Sequence, residues 1–409
     1  MDAHYQSLAV TTQSGPAIEG IRNFADELLS HGSNCRVIFD ALAADPECML
    51  GHSYAAALYL TALTREGQIQ AAPHLAAASL FLPAAAERER MTFNAISAWS
   101  NGDESRAITL FRSIVEIWPH DLVAAKFCQI LELGSGDVAG MLRTSAMASS
   151  ADGRAGFALG LHAFALEQNG NPDLALRFAR RAIDVAPGRD PWAQHAAAHA
   201  LAAMDQTVEG RAFLHAHAND WDRCSSFMLT HNWWHMALFS LELGDRSGAL
   251  NMFDQRIWGV RKEHCQDQIN AIALLARLEM AGVKVGWRWG DVAAYVERRA
   301  SDRISDFLDL HYLYALARAG YDQAANHLAE ALDVHSLGGW LSGLAFGMVA
   351  HARGDYIAAA SALGPVRPYL AQIGGSNVQR ALIHEMFAHS ICRLRAEHLL
   401  PAHSWKQAA

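Results

Sequence analysis

The chain has 409 residues, more than a single hydrophobic core usually serves, so it is either multi-domain or an elongated array of repeats. Half of its residues are apolar, its formal charge is −9, and only four lysines occur (Lys126, Lys262, Lys284 and Lys406), so no basic stripe is present and nucleic acid is excluded as a partner. The six cysteines lack paired spacing, no run approaches the roughly 18 to 20 apolar residues that span a bilayer, and the N-terminus has no secretory pattern; the expectation is a cytoplasmic chain with no membrane partner.

Residues 1–16 read as an N-terminal extension, and residues 17–409 as one repeat domain. A weak repeat comes first, "REGQIQAAPHLAAA", with Gly67, Ala72 and Ala76. "NGDESRAITLFRSIVEIWP" then places Gly102, Ala107, Phe111, Ile114 and Pro119, and "NGNPDLALRFARRAIDVAP" repeats those offsets at Gly170, Ala175, Ala179, Ala182 and Pro187. "LGDRSGALNMFDQ" supplies Gly244, Ala249 and Phe253; "AGYDQAANHLAEAL" supplies Gly320, Ala325 and Ala329; "RGDYIAAASAL" supplies Gly354, Ala359 and Leu363. Glycine permits the tight turn inside a pair of antiparallel helices, alanine lets the two backbones approach, and proline ends the second helix. The spacing is about the 34 residues of a tetratricopeptide repeat or twice that, which puts degenerate pairs near Gly136, Asp205 and Gly282. No segment alternates like a strand. The pattern predicts an all-α solenoid of about ten antiparallel helix pairs, a tetratricopeptide-repeat-like right-handed superhelix.

"HAFALEQNG", "PWAQHAAAHAL", "HNWWHMALFSLELGD", "GVKVGWRWGDVA" and "GGSNVQRALIHEMF" follow one another in this order. Together they resemble the tetratricopeptide-repeat protein 38 family, found in bacteria and animals, with "HNWWH" the most specific element. The resemblance implies a repeat fold and carries no assigned reaction. In the wider repeat superfamily the first helix of each pair lines the concave surface through its second, fifth, ninth, twelfth and thirteenth positions. With each turn glycine at position fifteen, His231 and Trp234 fall on that face, and so do Trp192, His195 and His199 of the preceding pair. His235 follows one turn after His231; His162 lies near the edge of the same face, and His311 near Phe307 and Tyr314. Trp234 reads as a groove wall, and Trp233, about 100° around the helix, as packing between repeats.

His195/His199 and His231/His235 have the i,i+4 spacing at which two imidazoles share an ion, but a chain with 21 histidines makes such pairs by chance, so neither a metal nor any other cofactor is assigned. "HEMFAH" has one residue too many for the HExxH motif. Asp267 reads either as a helix cap or as the carboxylate that orients His231. Arg288 in "GWRWG" is either stacked between indoles or free to grip a carboxylate or phosphate. Arg380 follows the Gly-rich turn "GGSN", where Ser376 is the natural cap. Two functions follow. One is the binding of a small polar molecule or peptide in a concave pocket lined by His162, Trp192, His195, His199, Trp234, Arg288, His311 and Arg380. The other is a metal-independent enzyme, of hydrolase or lyase type, with His231, His235 and Asp267 in acid–base roles. The oligomeric state is open, and a homodimer is compatible with the sequence.

Overall fold

The computed structural model describes residues 8–151, 156–335 and 339–396. Among these, about 80% are helical, in twenty-one α-helices with no strand, and the chain is an all-α, tetratricopeptide-repeat-like array. Where the sequence suggests one domain over 17–409, contacts gather the chain into two compact units, Met1–Asp245 with thirteen of these helices and Arg246–Ala409 with eight.

The repeat signals have direct physical counterparts. Gly102, Gly136, Gly170, Gly244, Gly282, Gly320 and Gly354 all have φ between 74° and 84°, the left-handed conformation that reverses the chain between two helices. Asp205 makes the same turn at φ 57°. Gly67 does not: it lies inside the Arg65–Phe81 helix, where an added Cβ would strike the Tyr59 carbonyl, and Leu63 makes the turn instead. The repeat alanines Ala107, Ala175, Ala249, Ala325 and Ala359 are all buried at helix contacts. Side-chain caps start many helices, among them Asp121, Asp190 and Ser225, each accepting a backbone N–H three residues on.

The first unit is tied together across long sequence separations. The helix Gly15–Leu29 packs against Leu122–Gly134. Just beyond it, His31 adopts φ 53° and its carbonyl accepts from Ser225 N at 2.7 Å, beside an isolated Gly32–Cys224 bridge. Arg189 reaches both carboxylate oxygens of Asp26 at 2.8 Å. In consequence the faces of Pro191–Ala203 and Ser226–Glu242 that bear the histidine pairs are covered rather than open.

Candidate functional site

Pro191–Ala203 begins with proline in its first turn behind the Asp190 cap, and its alanine-rich sequence lets neighbouring helices come close. His195 and His199 stand one turn apart on it; His231 and His235 stand one turn apart on Ser226–Glu242, which begins four residues before the Thr230 suggested by the repeat phase. The two pairs face each other. Ring centroids are 4.5 Å apart for His195–His199, 4.8 Å for His195–His231, 4.9 Å for His195–His235, 4.6 Å for His199–His235 and 4.9 Å for His231–His235. His195 Nε2 and His231 Nε2 are 3.0 Å apart. One nitrogen from each of the four rings lies within 4.8 Å of the others, and all four residues are buried.

Aromatic rings frame this quartet. Trp234 is fully buried, nearly parallel to His231 at 5.2 Å; Trp192 lies 4.6 Å from His195, and Phe164 lies 5.3 Å from both His195 and His199. Trp234, read as a groove wall, is core, while Trp233 is half-buried and edge-on to Trp221 at 5.5 Å. The reason is the covered face: Trp234 lies on the buried side of this helix with His231 and His235.

Polar groups absent from the sequence-derived set surround the imidazoles. Glu167, at the end of Gly156–Gln168, is buried, with Oε2 3.2 Å from His199 Nδ1. That distance permits an ion pair, although the ring N–H does not point along it. Lys126 is buried on Leu122–Gly134, with Nζ 2.8 Å from His31 Nε2 and 3.8 Å from the centre of the Trp192 ring. His31 is stacked on Trp192 at 5.2 Å. Burial pushes Lys126 down to about 7, against the attraction of Asp190, and burial pushes Asp190 up to about 7. His195 is held well below the usual histidine range by burial and then by its three partner imidazoles. His31 is lowered likewise, by burial and then by Lys126. Lys126 had a sequence signal, as a lone lysine in the apolar run "LVAAKFCQILELG". His31 and Asp190 had none, since only the folded chain brings them to Trp192.

The remaining predicted residues have the following neighbours. His162 is buried at the edge of Phe178, its Nδ1 3.1 Å from Ser145 Oγ. Arg288 grips both oxygens of Asp254 at 2.8 and 2.6 Å and donates to the Val285 carbonyl at 3.0 Å, so its guanidinium holds a loop together. His311 is buried, with Nδ1 2.7 Å from the Phe307 carbonyl, and burial lowers it to about 4. Arg380 closes the Gly-rich turn through the carbonyls of Gly374 and Gly375 and Asn377 Oδ1, and Ser376 caps the following helix through Gln379 N. Asp267 belongs to the second unit, buried in the first turn of Cys265–Met280, where His264 and not Asp267 is the cap residue; its Oδ1 is 3.5 Å from His264 Nδ1. In the first unit the carboxylate beside the imidazoles is Glu167.

No family model matches the chain. Among solved structures it is similar to a human IFIT1 dimer with m7Gppp-AAAA, at 12% identity and a TM-score of 0.47, over 97% of this chain and 90% of that one. It is also similar to a tetratricopeptide repeat protein from Parabacteroides merdae (14%, TM-score 0.29, 74% and 98%) and to Naa15/Naa10 bound to HypK-THB (13%, TM-score 0.27, 92% and 60%). The exclusion of nucleic acid as a partner is withdrawn, since the IFIT1 dimer is solved with m7Gppp-AAAA. A missing lysine stripe is not enough to support that exclusion. Among the described residues no helix is long and apolar enough to cross a membrane.

Proposed function

We propose that the first unit is a ligand-binding helical-repeat module whose site is enclosed between Leu122–Gly134, Gly156–Gln168, Pro191–Ala203 and Ser226–Glu242, instead of spread along an open groove. The observation that supports it is a concentration of buried polar atoms without a hydrogen-bond partner: His195 Nδ1, His199 Nε2, Asp190 Oδ2, Trp192 Nε1 and Gln129 Oε1. Buried polar groups in folded cores are almost always paired, and an unpaired one costs about 1–3 kcal/mol. Several on neighbouring helices are too expensive for mere packing and suit a small polar ligand that completes their bonds. The resemblance to the tetratricopeptide-repeat protein 38 family is compatible with this reading and adds no reaction to it.

A catalytic variant is favoured by one observation. Lys126, lowered to about 7, can take or give a proton near neutrality, as acid–base catalysis requires. In that case Lys126 and Glu167 would act with the imidazoles of the first unit. The test is native mass spectrometry of tag-free protein purified at neutral pH without chelators. A non-covalent adduct above the bare 44.6 kDa chain is expected, lost on His195→Phe and weakened on Lys126→Met. The bare mass alone would overturn the reading.

A further inference from the structure

We propose that His195, His199, His231 and His235 bind one first-row divalent transition-metal ion, each through one ring nitrogen, with Glu167 as the carboxylate that orients His199. This rests on the enclosed-site reading and names the ligand at its centre.

The geometry has three parts. First, each helix contributes an i,i+4 pair, so both rings of a pair leave the same side of their helix one turn apart. Second, the two pairs are opposed on packed helices, which brings four donors to one point; one nitrogen per ring already lies within 4.8 Å of the rest, and the shortest separation is 3.0 Å. A tetrahedral ion with about 2.0–2.1 Å metal–nitrogen bonds needs nitrogens about 3.3 Å apart. Ring rotations of about an ångström would bring the longer pairs to that value, and the pair at 3.0 Å would open slightly. Third, the orphaned nitrogens are in the right place. His199 Nε2 has no protein partner, and Glu167 Oε2 stands 3.2 Å from Nδ1; turning the His199 ring to aim Nδ1–H at that carboxylate would leave the Nε2 lone pair for a metal.

The donor set selects the class of ion. Four imidazoles, with no hydroxyl or carboxylate among them, are poor ligands for magnesium or calcium, which require oxygen. They suit zinc, nickel, copper or ferrous iron. Glu167 provides one negative charge next to the ion, and the wall of Trp192, Trp234 and Phe164 excludes water, which strengthens the charge–ligand attraction. The alternative is a purely aromatic stack of neutral imidazoles. In that case the His195–His231 contact is one N–H···N hydrogen bond, and His195 Nδ1 and His199 Nε2 stay without one.

The experiment uses the full chain, stripped with a chelator and dialysed, then titrated with Co(II) and back-titrated with Zn(II), with metal content measured on unstripped protein. One equivalent per chain is expected, with visible Co(II) bands that zinc abolishes. His195→Ala and His231→Ala should each weaken binding by at least about 100-fold. Glu167→Gln should weaken it by about 10- to 100-fold, the usual loss for an outer-shell partner. Circular dichroism separates lost binding from lost folding. If an alanine variant unfolds, His199→Gln, which keeps a polar side chain of similar reach, carries the test. His162→Ala, outside the quartet, should leave the titration unchanged. No Co(II) spectrum and no stoichiometric metal would overturn the proposal, as would full-affinity binding by the His195→Ala/His231→Ala double variant. An organic adduct in native mass spectra without any metal would sink the ion and leave the enclosed site standing. Neither an adduct nor metal would sink both.

Discussion

Each unit buries a group of histidines, and the two groups differ in how their polarity is used. In the second unit Tyr314 Oη lies 3.1 Å from His351 Nδ1, and His351 Nε2 lies 3.0 Å from His389 Nδ1. Both His351 nitrogens are taken, and the chain runs from a fully buried tyrosine to a half-buried histidine. In the first unit His195 and His231 meet at 3.0 Å, but His195 Nδ1 and His199 Nε2 have no hydrogen-bond partner. The first arrangement satisfies itself and serves as structure. The second leaves two buried ring nitrogens without a hydrogen bond. Burial of a histidine therefore says little about its function until the partners of both ring nitrogens have been traced.

That contrast can be broken experimentally. The largest expected effect lies in the aromatic frame of the quartet. Trp234→Ala, removing a fully buried indole, should cost about 3–5 kcal/mol in denaturant unfolding, and Trp233→Ala clearly less. Equal costs would mean that Trp234 is not the packed wall of the quartet.

Acid should act next. Burial, followed by His389 and Arg318, lowers His351 from 6.5 to about 4. The unfolded chain therefore takes up this proton first as pH falls, and its contribution to stability, complete above about pH 6.5, is lost on the way down to about 4. The loss is on the order of 3 kcal/mol. His351→Gln should flatten that part of the stability–pH curve, and an unchanged curve would refute the assignment.

Smaller still is the cost of deleting single polar groups. Tyr314→Phe should destabilise by about 1–2 kcal/mol, because His351 Nδ1 loses its partner. His199→Leu in metal-free protein should be near neutral, since it removes a nitrogen without a hydrogen bond. If both variants lose equal stability in matched urea melts, the two histidine groups are of one kind. The smallest effect belongs to Arg288→Lys, at about 0.5–1 kcal/mol from loss of the two-pronged grip on Asp254, with no change in metal titration.

Much of the fold was legible because turn chemistry is local. A glycine that must take positive φ, followed five residues later by an alanine that must be small, marks a helix pair without reference to the rest of the chain. Gly102/Ala107 and Gly170/Ala175 show this directly. Gly67 misled for the same reason, since smallness against Tyr59 looks in sequence like freedom of turn. Of the site, the two i,i+4 histidine pairs were readable, but their opposition was not. It depends on which face of Ser226–Glu242 is covered, and hence on contacts between residues far apart in sequence. Glu167 was not singled out, because nothing in "HAFALEQNG" says which imidazole it meets. Asp267 was paired with His231 on chemistry alone; within its own unit it lies 3.5 Å from His264.

The tie between His31 and Ser225 has a consequence for how the first unit comes into being. In an ideal repeat array every contact is with the next repeat, so folding can start anywhere and spread. Here the loop closed by that hydrogen bond spans more than 190 residues; Lys126 makes a further remote contact inside it, and Asp26, just before it, reaches Arg189. Closing so long a loop costs entropy that is recovered only when the last helix arrives. The unit should therefore melt as one cooperative body, and a ribosome must release Ser226–Glu242 before the quartet can form at all. Hydrogen exchange that showed Gly15–Leu29 opening independently of Pro191–Ala203 would contradict this. A nascent chain shorter than that has only two of the four imidazoles.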